Sequence, residues 1–216
     1  MSFEPVQTIL VDFDGTISSV DVGNALFRLA TKGEFQDAVS AWKAGDISSR
    51  ECLIAECSLA RISRQEVLAF ALDQPMDPSF KDFLNEALDR DVHVRVVSDG
   101  LDFYIKAILK REGLGDLPVE SNRALFTGDR LLPAFPFAGR GCGRCGNCKA
   151  GAVASARSQG RVGFIGDGLS DRCGAKAADW VLAKRGRDLV TICQEESIAH
   201  QGFDSFADVI MALEWA

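Results

Sequence analysis

Three short apolar runs punctuate the chain, at residues 8–13, 92–97 and 162–165, and each stops at once in small or acidic residues: DFDGT, SDG and GDGLSD. The runs are short and mostly β-branched or aromatic, which is the pattern of buried strands of a parallel sheet. Helix-like stretches separate them, so the periodicity predicts an α/β fold built on a parallel sheet. The polar endings then fall together at the carboxyl edge of the sheet, where open α/β sheets bind ligands.

Between the first two runs the pattern is helical throughout, from residue 18 to residue 74. Ser48 with Glu51, and Ser63 with Glu66, have the spacing of capping boxes, while Gly33 and Gly45 stand where earlier helices should stop. The prediction is a helical-bundle cap of four helices over residues 18–75, inserted into a core made of residues 1–17 and 76–216. Asp77 followed by Pro78 predicts the next helix start, with Asp as its N-cap. A further helix is expected from near Leu101. NRALFTGDRLLPAF predicts a hairpin turning at residues 127–130, and a small-residue helix should run from Lys149 to Gln159 until Gly160 ends it.

With 216 residues, 47% apolar and 25% charged, the chain can bury one sizeable core plus a smaller inserted domain. A net charge of −7 argues against an electrostatic grip on nucleic acid or on an anionic membrane. Arg140, Arg144 and Lys149 make a local basic patch sized for a phosphate rather than a nucleic-acid backbone. No uncharged run approaches the ~18 residues of a membrane span. MSFEPVQ carries an acid where a signal peptide would be positive, so a cytoplasmic protein is expected. Seven cysteines, an odd number spread along the chain, support reduced thiols rather than a disulfide framework. His93 and His200 are isolated and read as packing or surface residues.

Asp12 and Asp14 flank Phe13 at the end of the first run, and two like charges there cost free energy unless something offsets them. A shared divalent cation does so, and Mg²⁺ is the hard ion that favours carboxylate oxygens. Asp167 and Asp171 follow the third run at a spacing that lets Asp167 stand at the strand end while Asp171 points back from the next helical turn, which adds an acidic metal cage. Ser98 ends the second run just before a helix start, so its hydroxyl and the N–H groups of Asp99 and Gly100 are placed to hold phosphate oxygens. Lys149 opens the helix ahead of the third strand, where its charge would neutralise Asp12 and a bound phosphate. Nucleophile, acid/base, metal and cationic clamp are what phosphoryl transfer requires. Taken singly, each residue has a duller reading as a loop, turn or solvated helix residue, and the set carries the assignment.

DFDGTI, Ser98 in VVSDG, Lys149 and GDGLSD resemble, in order, the four motifs of the haloacid dehalogenase-like superfamily, and the helical insertion resembles the cap of its phosphoserine phosphatase-like branch. The resemblance implies a Rossmann-like core and a Mg²⁺-dependent phosphomonoester hydrolase acting on a small phosphorylated metabolite. Carried over by residue, it implies that Asp12 attacks phosphorus and becomes an aspartyl-phosphate, while Asp14 protonates the leaving oxygen and later deprotonates water. Asp12, the carbonyl of Asp14 and Asp167 would hold Mg²⁺, with Asp171 completing the cage and Ser98 and Lys149 holding the phosphoryl group. The same resemblance implies a substrate contact at Asp21, where a first-turn helix acid is the other reading. Arg50 is a weaker cap-side candidate that otherwise reads as a solvated helix residue.

Cys142, Cys145 and Cys148 are spaced C-x-x-C-x-x-C ahead of Lys149. They resemble a cysteine-rich segment of the 2-hydroxy-3-keto-5-methylthiopentenyl-1-phosphate phosphatases of methionine salvage and of phosphoethanolamine/phosphocholine phosphatases. LDFYI after SDG is similar to the same subgroup. This implies the methylthiopentenyl-phosphate enzymes as nearest relatives, with phosphoserine or phosphoethanolamine/phosphocholine hydrolysis as alternatives. Three thiolates in two tight turns have the means to bind Zn²⁺, with Cys173 or an acid as fourth ligand, or an iron–sulfur cluster given a fourth cysteine. A packed loop or an oxidised disulfide are the other readings. The non-enzyme alternative is a zinc-binding regulatory protein on the same fold. A monomer or homodimer is expected, without nucleic-acid or membrane partners.

Overall fold

In the computed structural model, which describes residues 5–213, seven strands form one sheet. They are β1 Val6–Val11, β2 His93–Leu101, β3 Val119–Thr127, β4 Arg130–Ala134, β5 Arg161–Gly166, β6 Trp180–Lys184 and β7 Gln201–Phe203. Their spatial order is β4-β3-β2-β1-β5-β6-β7, and every pairing is parallel except the β3–β4 hairpin. β1 is apolar on both faces, so both must be covered. Ile9 and Val11 join one core with Phe80, Phe83 and Ile105, whereas Leu10 joins a second with Val153, Val162 and Phe164.

Four helices lie between β1 and β2: α1 Val22–Ala30, α2 Gln36–Ala44, α3 Ser49–Leu59 and α4 Arg64–Leu72. Both capping boxes form. Ser48 Oγ accepts from Glu51 N–H at 3.2 Å and Ser63 Oγ from Glu66 N–H at 3.3 Å. The two glutamates accept in return from the serine N–H groups, at 2.8 Å each. Gly45 closes α2 at φ +87°, a left-handed conformation that glycine adopts without a Cβ clash.

The remaining helices are α5 Phe80–Asp89, α6 Asp102–Arg111, α7 Lys149–Ala156, α8 Arg172–Ala177, α9 Asp188–Glu195 and α10 Phe206–Ala212. α5 starts later than Asp77-Pro78 predicts. Asp77 is shared between two helix starts: it accepts from Ser79 N–H at 2.9 Å and from Phe206 N–H, ahead of α10, at 3.3 Å. β2 runs on through SDG, with a shift in its pairing to β3 between Val97 and Leu101. The hairpin turns as predicted, with Thr127 opposite Arg130. α7 ends at Ala156, and a short tight turn carries the chain to Gly160. Chain connections run from β1 to β2 on one side and reach β5 on the other, so a topological switch point lies at the carboxyl end of β1.

Candidate active site

Asp12 follows β1 directly, and its N–H still pairs with Ile165 O at 2.9 Å, so the sheet delivers its carboxylate to the edge at 4% exposure. The chain then makes one wide turn over residues 13–17, with Gly15 at φ +75°. A Cβ there would fall 2.3 Å from Asp167 Oδ2. Glycine is therefore required by its dihedral and by the seat it leaves for Asp167. Thr16 Oγ1 donates to Asp167 Oδ1 at 3.4 Å, and Lys184 Nζ holds the turn through the carbonyls of Gly15 and Thr16 at 2.9 and 3.2 Å.

Asp12, Asp167 and Asp171 each offer a carboxylate oxygen, and these atoms lie within 4.8 Å of one another. Between two of them sits Lys149, whose Nζ is 2.8 Å from Asp12 Oδ1 and 2.5 Å from Asp171 Oδ1. It also donates to Ser170 Oγ at 3.1 Å. The other oxygen of Asp171 accepts from the N–H groups of Asp167 and Gly168, at 2.9 Å each. Burial pushes the pKa of Asp12 well above the usual carboxylate range, the charge of Asp171 adds to this, and Lys149 opposes it. Burial, then Asp171, brings Asp167 to about 7. For Lys149 burial acts downward, but the charges of Asp12 and Asp171 outweigh it and hold the ammonium form. Three carboxylates around one ammonium leave surplus negative charge in a water-poor place, and every donor is oxygen. That chemistry fits Mg²⁺.

The Asp14 carboxylate stands outside this cluster. Its Oδ2 accepts from Tyr104 OH at 2.7 Å and Ser98 Oγ at 3.4 Å, and its Oδ1 from Gly23 N–H at 3.1 Å. Burial raises its pKa to about 7, with the Asp21 charge adding and the Tyr104 and Gly23 bonds opposing. A carboxyl poised near neutrality can both give and take a proton. A Cβ at Gly100 would lie 1.9 Å from Tyr104 OH, so glycine there admits the tyrosine to Asp14.

The SDG turn is tied both internally and to its neighbours. The Gly100 N–H is turned onto Ser98 Oγ at 2.9 Å. Asp99 is a strut: its Oδ1 accepts from Asn147 N–H at 2.8 Å and its carbonyl from Asn122 Nδ2 at 2.7 Å. Ser98, 1% exposed, does face the cleft.

The cleft, about 190 Å³, has Asp12, Asp14 and Ser98 on the sheet side and Asp21, Phe27, Val39, Trp42, Leu53 and Glu56 on the helical side. Asp21 lines the cleft and also caps α1 by accepting from Asn24 N–H at 2.8 Å. Burial, with the charge of Asp21, raises Glu56 to about 8. Arg50 is not brought into the lining. Its Nη2 donates instead to Gly143 O at 2.5 Å and Cys145 O at 3.2 Å. Nor do the basic residues share a face: Arg140 pairs with Glu120 at 2.5 Å and covers Phe137, Lys149 is buried among acids, and Arg144 is exposed.

The sequence reading assigned no role to Thr16, Glu56, Tyr104, Ser170 or Lys184. Tyr104 carried a faint signal, as the one tyrosine of the sequence placed in the first turn that follows SDG.

A parallel sheet whose carboxyl edge gathers these acids around one lysine defines a class. A sequence model described as haloacid dehalogenase-like hydrolase matches residues 9–176, and the chain belongs to that family. Among its relatives are 2-hydroxy-3-keto-5-methylthiopentenyl-1-phosphate phosphatases of Brevibacillus brevis and Geobacillus kaustophilus, 29% and 32% identical, each alignment covering 95% of this chain and 94% of the relative. A solved phosphoserine phosphatase, described as a phospho-aspartyl intermediate analogue, matches 98% of this chain and 99% of its own, with TM-score 0.75 at 19% identity. That likeness shows a shared fold.

Proposed function

We propose that this haloacid dehalogenase-like hydrolase is a phosphomonoesterase for a small phosphorylated metabolite, with 2-hydroxy-3-keto-5-methylthiopentenyl-1-phosphate as its substrate. The observation that carries the reading is the division of the acids: Asp12 shares a buried ammonium with Asp171, while Asp14 is held apart on a neutral hydrogen-bond network. One group is thus prepared to bond to phosphorus and the other to handle protons.

In this reading Asp12 attacks phosphorus in line and becomes an aspartyl-phosphate as the leaving oxygen departs. Asp14 protonates that oxygen, then takes a proton from the water that hydrolyses the intermediate. Lys149 and Ser98 hold the phosphoryl oxygens. Mg²⁺, bound by Asp12, the Asp14 carbonyl and Asp167 with Asp171 beside them, supplies charge neutralisation that lets an anionic nucleophile approach an anionic phosphate. Residues 18–75 act as a cap over a core of residues 1–17 and 76–216, and their Phe27, Trp42 and Leu53 exclude water from the transfer.

The cap side also bears on substrate choice. Val39, Trp42 and Leu53 offer contacts to an apolar tail such as a methylthio group, whereas the Asp21 carboxylate would repel the carboxylate of phosphoserine. No helix among the described residues is long and apolar enough to cross a membrane, and a cytoplasmic enzyme of methionine salvage is part of the same proposal.

A panel of phosphorylated metabolites, assayed by phosphate release with Asp12→Asn as the blank, tests this. The expected result is Mg²⁺-dependent turnover, fastest on the methylthiopentenyl phosphate, that falls by roughly 10⁴-fold or more in the blank. Turnover of phosphoserine or phosphocholine above that substrate would reassign it, and release without need of Mg²⁺ would overturn the mechanism.

A further inference from the structure

Cys142, Cys145 and Cys148 take no part in the chemistry above, yet the fold gathers them. Their Sγ atoms all lie within 4.8 Å of one another, and those of Cys142 and Cys145 are 3.6 Å apart. Four thiolates at metal–sulfur distances of about 2.3 Å have tetrahedron edges of about 3.8 Å, so this spacing suits a metal as it stands. Three sulfurs do not pair off into disulfides, and all are free thiols. Cys173, at the start of α8, does not belong to the group of sulfurs that meet.

Glycines let the loop wind this tightly. Gly143 sits at φ +73°, and a Cβ on Gly141 would fall 2.2 Å from Cys148 Sγ. The loop also touches both sides of the cleft. Its carbonyls at Gly143 and Cys145 receive the guanidinium of Arg50 on α3. Asn147 donates from its N–H to Asp99 and from Nδ2 to Ser98 O at 3.1 Å and Glu120 O at 2.8 Å. Cys148 is the N-cap residue of α7, and Lys149 follows it directly.

We propose that Cys142, Cys145 and Cys148 form a three-thiolate site for a thiophilic divalent ion of the Zn²⁺ class, which clips the loop that joins α3, the Ser98–Asp99 turn and Lys149. Each ligating thiol releases its proton to solvent as the metal–sulfur bond forms. Donor chemistry keeps the two metals of the protein apart, because soft thiolates select zinc-like ions and the all-oxygen acid cluster selects Mg²⁺. The clip is a positioning device and touches no reacting atom.

Co²⁺ titration of the reduced, metal-stripped full chain tests the site without any assay of turnover. A thiolate-to-cobalt charge-transfer band should grow to saturation at one equivalent and be displaced by Zn²⁺. Cys142→Ser removes a ligand at an exposed position, where circular dichroism should show the fold unchanged, and should weaken binding by about 100-fold. Zn²⁺ loading should also slow tryptic cleavage after Arg144 by about tenfold, since cleavage requires the loop to open. Absence of the charge-transfer band, or its persistence in both Cys142→Ser and Cys145→Ser, would overturn the site. An unchanged cleavage rate on loading would overturn its role as a clip.

Discussion

Tyr104 donates to Asp14 at 2.7 Å while burial pushes that carboxyl up to about 7. The bond favours the charged form, so Tyr104→Phe should raise the Asp14 pKa by about one unit. The pH–rate profile for phosphate release should move up by that amount on the limb that reports this group, with kcat falling about tenfold. An unmoved profile would mean that Asp14 is not the titrating acid. Asp167 makes a different prediction. Its carboxyl binds a proton more tightly folded than unfolded, with a pKa of about 7 against 3.8. Its contribution to stability is therefore fully present below about pH 3.8 and is lost as pH rises through 7. Metal-free Asp167→Asn should match its parent at pH 4, exceed it at pH 8 by about 2 kcal/mol, and lose the thermal shift on adding Mg²⁺. Melting curves at the two pH values, with and without Mg²⁺, check both halves.

At the scale of elements, what is local was legible and what depends on a neighbour was not. The capping boxes at Ser48 and Ser63 and the turn at residues 127–130 need only residues a few positions apart, and all three form. The start of α5 was misplaced because Asp77 answers to Phe206, far along the chain, as well as to its own helix. β6, β7 and the helices from α8 onward have shorter or more mixed patterns, and they are strands and helices because they complete the edge of a sheet already built. Arg50 belongs to this scale, since it fastens α3 to the cysteine loop. Arg50→Ala should raise KM about fivefold and leave kcat within about twofold, as expected for a residue that acts through closure rather than chemistry. Steady-state kinetics separate the two, and a fall in kcat alone would place Arg50 in the reaction.

For the whole molecule, the governing quantity is the surplus of buried negative charge: Asp12, Asp167 and Asp171 face one ammonium in the interior. The metal-free protein carries that repulsion as a loss of stability, and a divalent cation that binds only the folded chain relieves it. At Mg²⁺ concentrations about 100 times the dissociation constant the gain is about 2.7 kcal/mol, which in a chain of this size raises Tm by roughly 5–10 °C. Ca²⁺ at equal concentration should give a different shift because it prefers more ligands at longer distances. Differential scanning calorimetry measures both, and no response to either ion would contradict the acid cluster as a cation site.

The sequence by itself determined the buried strands, the acids at their ends, the helical character of the insertion and the family resemblance, because each is written in spacing along a short stretch. Which groups meet was decided by the tertiary structure. Tyr104 reaches Asp14 only because Gly100 leaves room, Arg50 turns to the loop rather than the cleft, and three thiols separated by pairs of residues converge because glycines let the backbone curl. Convergence of this kind depends on distances between segments remote in the chain, and periodicity carries no information about those until the sheet has set them.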